Sequence, residues 1–150
     1  MSHSWIKMWA HFVFSTKGRV PVIDDALREE LYPYMSGIIN GNFGFTRSIG
    51  GTSDHIHLLV SMKTTTCPAD VMRVVKSNSS LWVRRNFGLP YRFAWQTGYG
   101  AFSVGASGLR RTIRYINDQE QHHLRMTFEE EFRYLLEKYD VEYDPETFLE

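Results

Sequence analysis

Two histidines one residue apart, His55 and His57, lie in the stretch SDHIHLLVSM from Ser53 to Met62. Each neutral imidazole offers a lone pair, and imidazole is the commonest side-chain metal ligand. Ile56, Leu58 and Val60 recur with period two, so the stretch predicts a β-strand with those three facing a core. Residues two apart share a face. His55 and His57 therefore stand together on the other face, about 7 Å apart at a rise of roughly 3.3 Å per residue. That separation lets both reach one cation, although the same pair also suits an ordinary sheet surface. Metal chemistry needs a further ligand from elsewhere.

A second set of reactive groups falls on a predicted helix over about 107–122. Leu109, Ile113 and Ile116 form its packing stripe. Tyr115 lies about 200° round from Ile113, at roughly 100° per residue, and so stands off the stripe. Gln119, four residues on, shares its face, and Arg111 and His122 lie on that side too. A phenol, an amide oxygen, a guanidinium and an imidazole together are an inventory for phosphodiester chemistry. Tyr91 and Tyr99 are rival nucleophiles, but both sit near a strand start without a glutamine on the same helical face. Tyr99 and Trp95 suit stacking on unpaired bases or a place in the core.

The elements that must position these groups follow in order. Trp5 to Ser15 alternates Ile6, Met8, Ala10, Phe12 and Phe14 with Lys7, Trp9, His11 and Val13, a strand whose second face is itself partly apolar. Trp9 and Val13 on that face suit cover by a partner chain. Asp24 caps a helix running to about Asn40, with Leu27, Leu31, Tyr34, Ile38 and Ile39 at helical spacing. Pro33 should kink or shorten it. Phe43 to Gly51 is a second strand, with Gly50-Gly51 beginning a short turn into the histidine strand, which predicts an antiparallel pair. Pro68 and Asp70 start a second helix, with Val71, Val74, Val75, Asn78, Leu81 and Trp82 as its buried stripe. Tyr99 to Val104 is the fourth strand, and Gly105-Ala106-Ser107-Gly108 a joint before the tyrosine helix. A last helix opens with a capping box at Thr127 and Glu130 and packs through Phe128, Phe132, Leu135 and Leu136. The acidic, aromatic stretch 139–150 lies over the body or trails.

The order β-α-β-β-α-β predicts an α+β, ferredoxin-like split βαβ fold with appended C-terminal helices. No linker or repeat divides the chain, so one domain over 1–150 is expected. Both helices of the split βαβ cover the face that takes Ile56, Leu58 and Val60. His55 and His57 are left on the other face, within reach of the appended helix.

Charge is balanced, with 17 basic against 17 acidic residues, but unevenly placed. Arg73, Lys76, Arg84, Arg85, Arg92, Arg110, Arg111, Arg114 and Arg125 crowd residues 67–125, while residues 126–150 are strongly acidic. Arginine suits bidentate phosphate contact, so a basic middle fits a protein that handles a polyanion. The single Cys67 excludes a disulfide framework or a cysteine zinc site. No signal-peptide pattern or membrane-length apolar run is present, which points to a cytoplasmic protein.

Asp54-His55-Ile56-His57-Leu58-Leu59, then Trp95-Gln96-Thr97-Gly98-Tyr99-Gly100-Ala101-Phe102-Ser103-Val104, then Tyr115-Ile116-Asn117-Asp118-Gln119 with His122-His123 after it, resemble the single-tyrosine HUH transposases. The opening His11-Phe12-Val13-Phe14-Ser15-Thr16-Lys17 is similar as well, so the likeness spans nearly the whole chain. The tyrosine follows the histidines, whereas relaxases of the HUH group place it before them. The resemblance implies that His55, His57 and Gln119 hold one divalent cation, Mg²⁺ or Mn²⁺, and that Tyr115 attacks phosphorus to leave a 5′-phosphotyrosine. It further implies single-stranded and hairpin DNA as substrate, and a homodimer with active sites shared between chains. Lys17, Arg19, Arg73, Lys76, Arg84, Arg85, Arg110 and Arg111 are the candidate DNA contacts. Two other function classes are a small metal-dependent phosphodiesterase and a non-catalytic DNA-binding protein descended from a transposase.

Overall fold

The computed structural model describes residues 3–150. Its elements are β1 (Met8–Ser15), α1 (Asp25–Asn42), β2 (Gly44–Gly51), β3 (His55–Met62), α2 (Pro68–Asn86), β4 (Gly100–Val104), α3 (Leu109–Asn117), the single turn α4 (Gln119–His122) and α5 (Phe128–Lys138). The four strands form one antiparallel sheet in the order β2-β3-β1-β4. This is the expected split βαβ arrangement, with the histidine strand in the interior of the sheet. No described helix is long and apolar enough to cross a membrane.

One face of the sheet carries Phe12, Phe14, Ile56, Leu58 and Val60 against Leu27, Leu31, Met35 and Ile39 of α1 and Val71, Met72, Val75 and Val83 of α2. Each such side chain taken fully from water stabilises by about 1.5–3 kcal/mol, so this face anchors β3 in its register. Asp24 caps α1 by accepting from the Leu27 N–H at 2.8 Å. Pro33 neither ends nor shortens α1, which runs on to Asn42. The proline lies on the exposed side, where the carbonyl it leaves without a helical donor can be solvated.

The buried stripe of α2 also differs from expectation. Asn78 and Leu81 are exposed, while Met72, Ser79, Ser80 and Val83 are buried with Val71 and Val75. The serines tolerate burial because their hydroxyls are satisfied locally. Ser79 Oγ donates to the Val75 carbonyl and accepts from Trp95 Nε1 at 2.9 Å. Such locally satisfied serines can take packing positions, which rotates the stripe from the one that spacing predicts.

The second face is covered from within the chain. Val13 and Phe102 lie under Phe128, Phe132, Leu135 and Leu136 of α5. Leu59, Val104 and Trp9 lie under Leu109, Ile113 and Ile116 of α3. Trp9 and Val13 thus need no partner chain to cover them. Gly50, which is within β2 and not in the turn, sits opposite His57. A Cβ there would lie 2.1 Å from the Ile116 carbonyl oxygen, so the absent side chain is what lets α3 rest directly on the sheet beside the histidines. The expected single helix over 107–122 breaks at Asp118, whose backbone leaves helical geometry at φ −98° and ψ 18°. Asn117 and Asp118 are poor helix formers whose side chains compete for backbone groups. The acidic tail folds back, with Tyr139, Tyr143, Phe148 and Leu149 on the α5 cluster.

Candidate active site

Strand pairing brings three histidines to one place. His57 faces Val13 across β1, and His55 faces Ser15. His11, two residues before Val13, is the diagonal neighbour of His57, within reach of a long side chain. All three rings are buried. His55 Nδ1 donates to Asp54 Oδ1 at 2.8 Å, and His57 Nδ1 lies 2.7 Å from His11 Nε2. With both Nδ1 atoms engaged behind them, the two Nε2 atoms turn to a common point. His55 Nε2 there lies 2.8 Å from Gln119 Oε1.

A residue that sequence reasoning missed occupies the centre. Glu131 of α5 is fully buried. Its Oε1 accepts from His57 Nε2 at 2.9 Å and His123 Nε2 at 3.0 Å, with His55 Nε2 at 3.3 Å. Its Oε2 accepts from Gln119 Nε2 at 2.9 Å and from the Tyr115 hydroxyl. In sequence Glu131 reads as one of three first-turn acids that favour a helix N-terminus. The available signal was its spacing, three residues after Phe128 and four before Leu135, which places a carboxylate on the apolar stripe. The capping box, with Thr127 Oγ1 accepting from the Glu130 N–H at 3.2 Å, fixes the first turn that presents it.

Burial alone would raise the Glu131 carboxyl, but the adjacent His57 ring and hydrogen bonds from His123, His55 and His57 hold it far below the carboxylate range. Burial opposes charge on His55 too, yet its bonds to Asp54 and Glu131 raise it to about 9. His57 is lowered, chiefly by burial, and burial with the neighbouring His57 pulls His11 down to about 3. Without a cation, the cluster thus favours charge on His55 and on Glu131 and disfavours it on His57 and His11. Tyr115 is raised well above the ordinary phenol range by burial and then by the Glu131 charge. The His122 ring lies against that of Tyr115 at 4.6 Å.

His55, His57 and Glu131 form a candidate metal site whose ligand atoms all lie within 4.8 Å of one another. Two imidazole nitrogens and a carboxylate oxygen, with the Gln119 amide oxygen beside them, are a mixed N/O set that fits a divalent cation. The expected trio of His55, His57 and Gln119 is thus brought together and gains a fourth, anionic member.

The structure brings Tyr115 and Gln119 to the histidines of their own chain. It does not bring Tyr91 or Tyr99 there, since both are exposed before β4. Arg73, Lys76 and Arg84 line a groove of about 450 Å³ with Tyr99, Trp95, Ser77 and Ser80. It belongs to α2, on the sheet face opposite the histidines. Within it Lys76 Nζ donates to the Gly98 carbonyl at 2.7 Å. Trp95 is a core residue, edge-on to Phe14 and Phe93. Arg85 is exposed outside the groove, and Arg110 is exposed on α3. Arg111 borders a cavity of about 170 Å³ with His11, Tyr115, Tyr134 and Lys138. Lys17 is exposed, whereas Arg19 is occupied by the Leu149 carbonyl at 2.8 Å.

The family described as "Transposase IS200 like" matches residues 4–119, from before β1 through Gln119. The chain belongs to this family. Transposases of this kind cleave DNA and transfer strands, and this member carries a buried His–His–Glu cluster. Comparison with curated proteins finds no match. Among solved structures, a candidate transposase from Deinococcus radiodurans R1 superposes with a TM-score of 0.63 at 20% identity, covering 79% of this chain and 96% of the other. A REP-associated tyrosine transposase bound to a REP hairpin superposes with a TM-score of 0.61 at 14% identity, covering 82% of this chain and 73% of that one. At such identities these likenesses establish the fold. Glu131 lies beyond the family-matched segment.

Proposed function

We propose that this transposase, acting as one domain over 1–150, cleaves and rejoins single-stranded DNA at the ends of a mobile element through a phosphotyrosine intermediate formed on Tyr115. The observation that carries this reading is convergence: the Tyr115 hydroxyl and the Nε2 atoms of His55 and His57 all meet on one buried carboxylate. In the reaction a bond forms between Tyr115 Oη and phosphorus, and the bond from phosphorus to the 3′-oxygen breaks. The phenol proton leaves to water, since Glu131, whose Oε2 accepts the Tyr115 hydrogen bond, is held too acidic to keep it, and the departing 3′-oxygen takes a proton from water. The 3′-hydroxyl of a second strand then reverses the linkage, so rejoining needs no external energy source.

His55, His57, Glu131 and Gln119 would hold a Mg²⁺ or Mn²⁺ ion. When bound, that ion supplies the positive charge that offsets Glu131, eases ionisation of the phenol and stabilises the pentavalent phosphorus. Tyr115 is close to its own histidines, so each chain of a homodimer would use its own tyrosine. This differs from the shared arrangement that the resemblance implies. The groove of Arg73, Lys76 and Arg84 is our assignment for the hairpin-side phosphates, with the exposed face of Tyr99 available to an unpaired base.

The test is incubation with hairpin-bearing single-stranded DNA and Mn²⁺, followed by denaturing electrophoresis. A covalent protein–DNA band that disappears in Tyr115→Phe supports the reading. Cleavage without any adduct would favour the metal-dependent phosphodiesterase, and binding without cleavage the non-catalytic DNA-binding protein.

A further inference from the structure

Metal-binding imidazoles usually hold their second N–H against an oxygen, which fixes the tautomer and the orientation of the ring. His55 does this with Asp54. His57 has no such oxygen. Its Nδ1 meets the Nε2 of another buried imidazole, His11, at 2.7 Å. The two ring centroids are 5.0 Å apart, and Phe102 and Tyr115 pack edge-on around His11.

We infer that His11 is a positioning residue for the cation site: it selects the nitrogen that His57 offers. The inference rests on the metal reading above but concerns a residue outside the ligand set. Without a cation, His57 Nε2 faces Glu131 Oε1 at 2.9 Å. A carboxylate only accepts, so His57 carries its proton on Nε2. His11 Nε2 then donates to His57 Nδ1. A cation on His57 Nε2 demands the opposite tautomer, with Nδ1–H donating back to His11 Nε2. Both rings stay neutral with one N–H each, and both exchange which nitrogen bears it. Only a group that can donate in one state and accept in the other supports His57 throughout. An imidazole does so, and a carboxamide can by turning over. A phenyl ring fills the space and does neither.

The measurement is Mn²⁺ affinity of the full chain, read from the electron paramagnetic resonance signal of free Mn²⁺, without DNA or turnover. His11→Phe should bind about 10–100-fold more weakly, the loss typical of groups that orient a ligand. His11→Gln should recover most of the affinity. Equal binding by wild type and His11→Phe would overturn the inference and leave the metal reading intact. Failure of the wild type to bind Mn²⁺ would overturn the metal reading, and this inference with it. Should His11→Phe not fold, ¹⁵N imidazole spectra of the wild type with saturating Mg²⁺ decide. They should show His57 protonated on Nδ1 and His11 bare at Nε2, and a bare His57 Nδ1 refutes the assignment.

Discussion

At the scale of single residues, Glu131 has two oxygens with different neighbours, one facing imidazoles and the other facing Tyr115 and Gln119. Glu131→Ala removes one of the two carboxylates paired with the buried His55 ring, leaving Asp54. Breaking a buried ion pair from one side costs about 3–5 kcal/mol, so the metal-free variant should show a fall of that size in urea unfolding. Unaltered stability would mean that His55 is neutral in the folded protein. Tyr115→Phe removes only the hydroxyl and should bind hairpin DNA normally while forming no adduct. An adduct at wild-type level would place the nucleophile elsewhere. The strand period paired His55 with His57 and the helix period paired Tyr115 with Gln119, while the family resemblance joined the two pairs into one site. Glu131 was not legible, since an acid in the first turn of a helix already has an electrostatic explanation.

At the scale of elements, α3 bears on the sheet at Gly50, where the Ile116 backbone takes the space of a side chain. Gly50→Ala should force α3 outward and carry Tyr115 off the cluster. Overpacking of this kind costs about 1–3 kcal/mol, so the sheet should persist by circular dichroism while adduct formation is lost. Retained adduct formation would show that α3 adjusts without moving the tyrosine. The order of strands and helices followed from alternation and capping. The break at Asp118 did not, because Leu109, Ile113 and Ile116 continue smoothly toward Gln119 at helical spacing. The rotation of the α2 stripe was hidden for another reason. Buried serines bonded to their own helix look polar in sequence and behave as packing groups in the fold.

For the molecule as a whole, charge in the cluster sets a pH dependence in the absence of metal. His55 is raised to about 9 against an unfolded value near 6.5. Its stabilising contribution is therefore complete below about 6.5 and lost as pH rises toward 9. His57 and His11 are lowered, so theirs is complete above about 6.5 and lost as pH falls. Lys76, lowered to about 8 by burial, acts oppositely to His55 from about pH 8 upward. Between pH 7 and 8 in EDTA, stability should drop by on the order of 1 kcal/mol, read from urea midpoints. A flat profile there would contradict the charged His55.

Assembly is tested by mixing Tyr115→Phe chains with His57→Ala chains. If each chain uses its own tyrosine, both sites of a mixed dimer carry a lesion and no adduct returns after verified exchange. Recovered activity would establish sharing between chains. The resemblance implied sharing, and the apolar second face of β1 suggested cover by a partner chain. That face proved to be covered by α3 and α5, a long-range packing that alternation along one strand cannot reveal.

The basic groove and the histidine cluster lie on opposite faces of one sheet, with β4 at its edge. DNA held in the groove and cut at Tyr115 would have to pass from one face of the sheet to the other. The thickness of the protein would then act as a ruler. The count of nucleotides between anchored duplex and severed bond would be set by a path length, whatever their sequence. Lengthening that spacer by one nucleotide should move the cut by one.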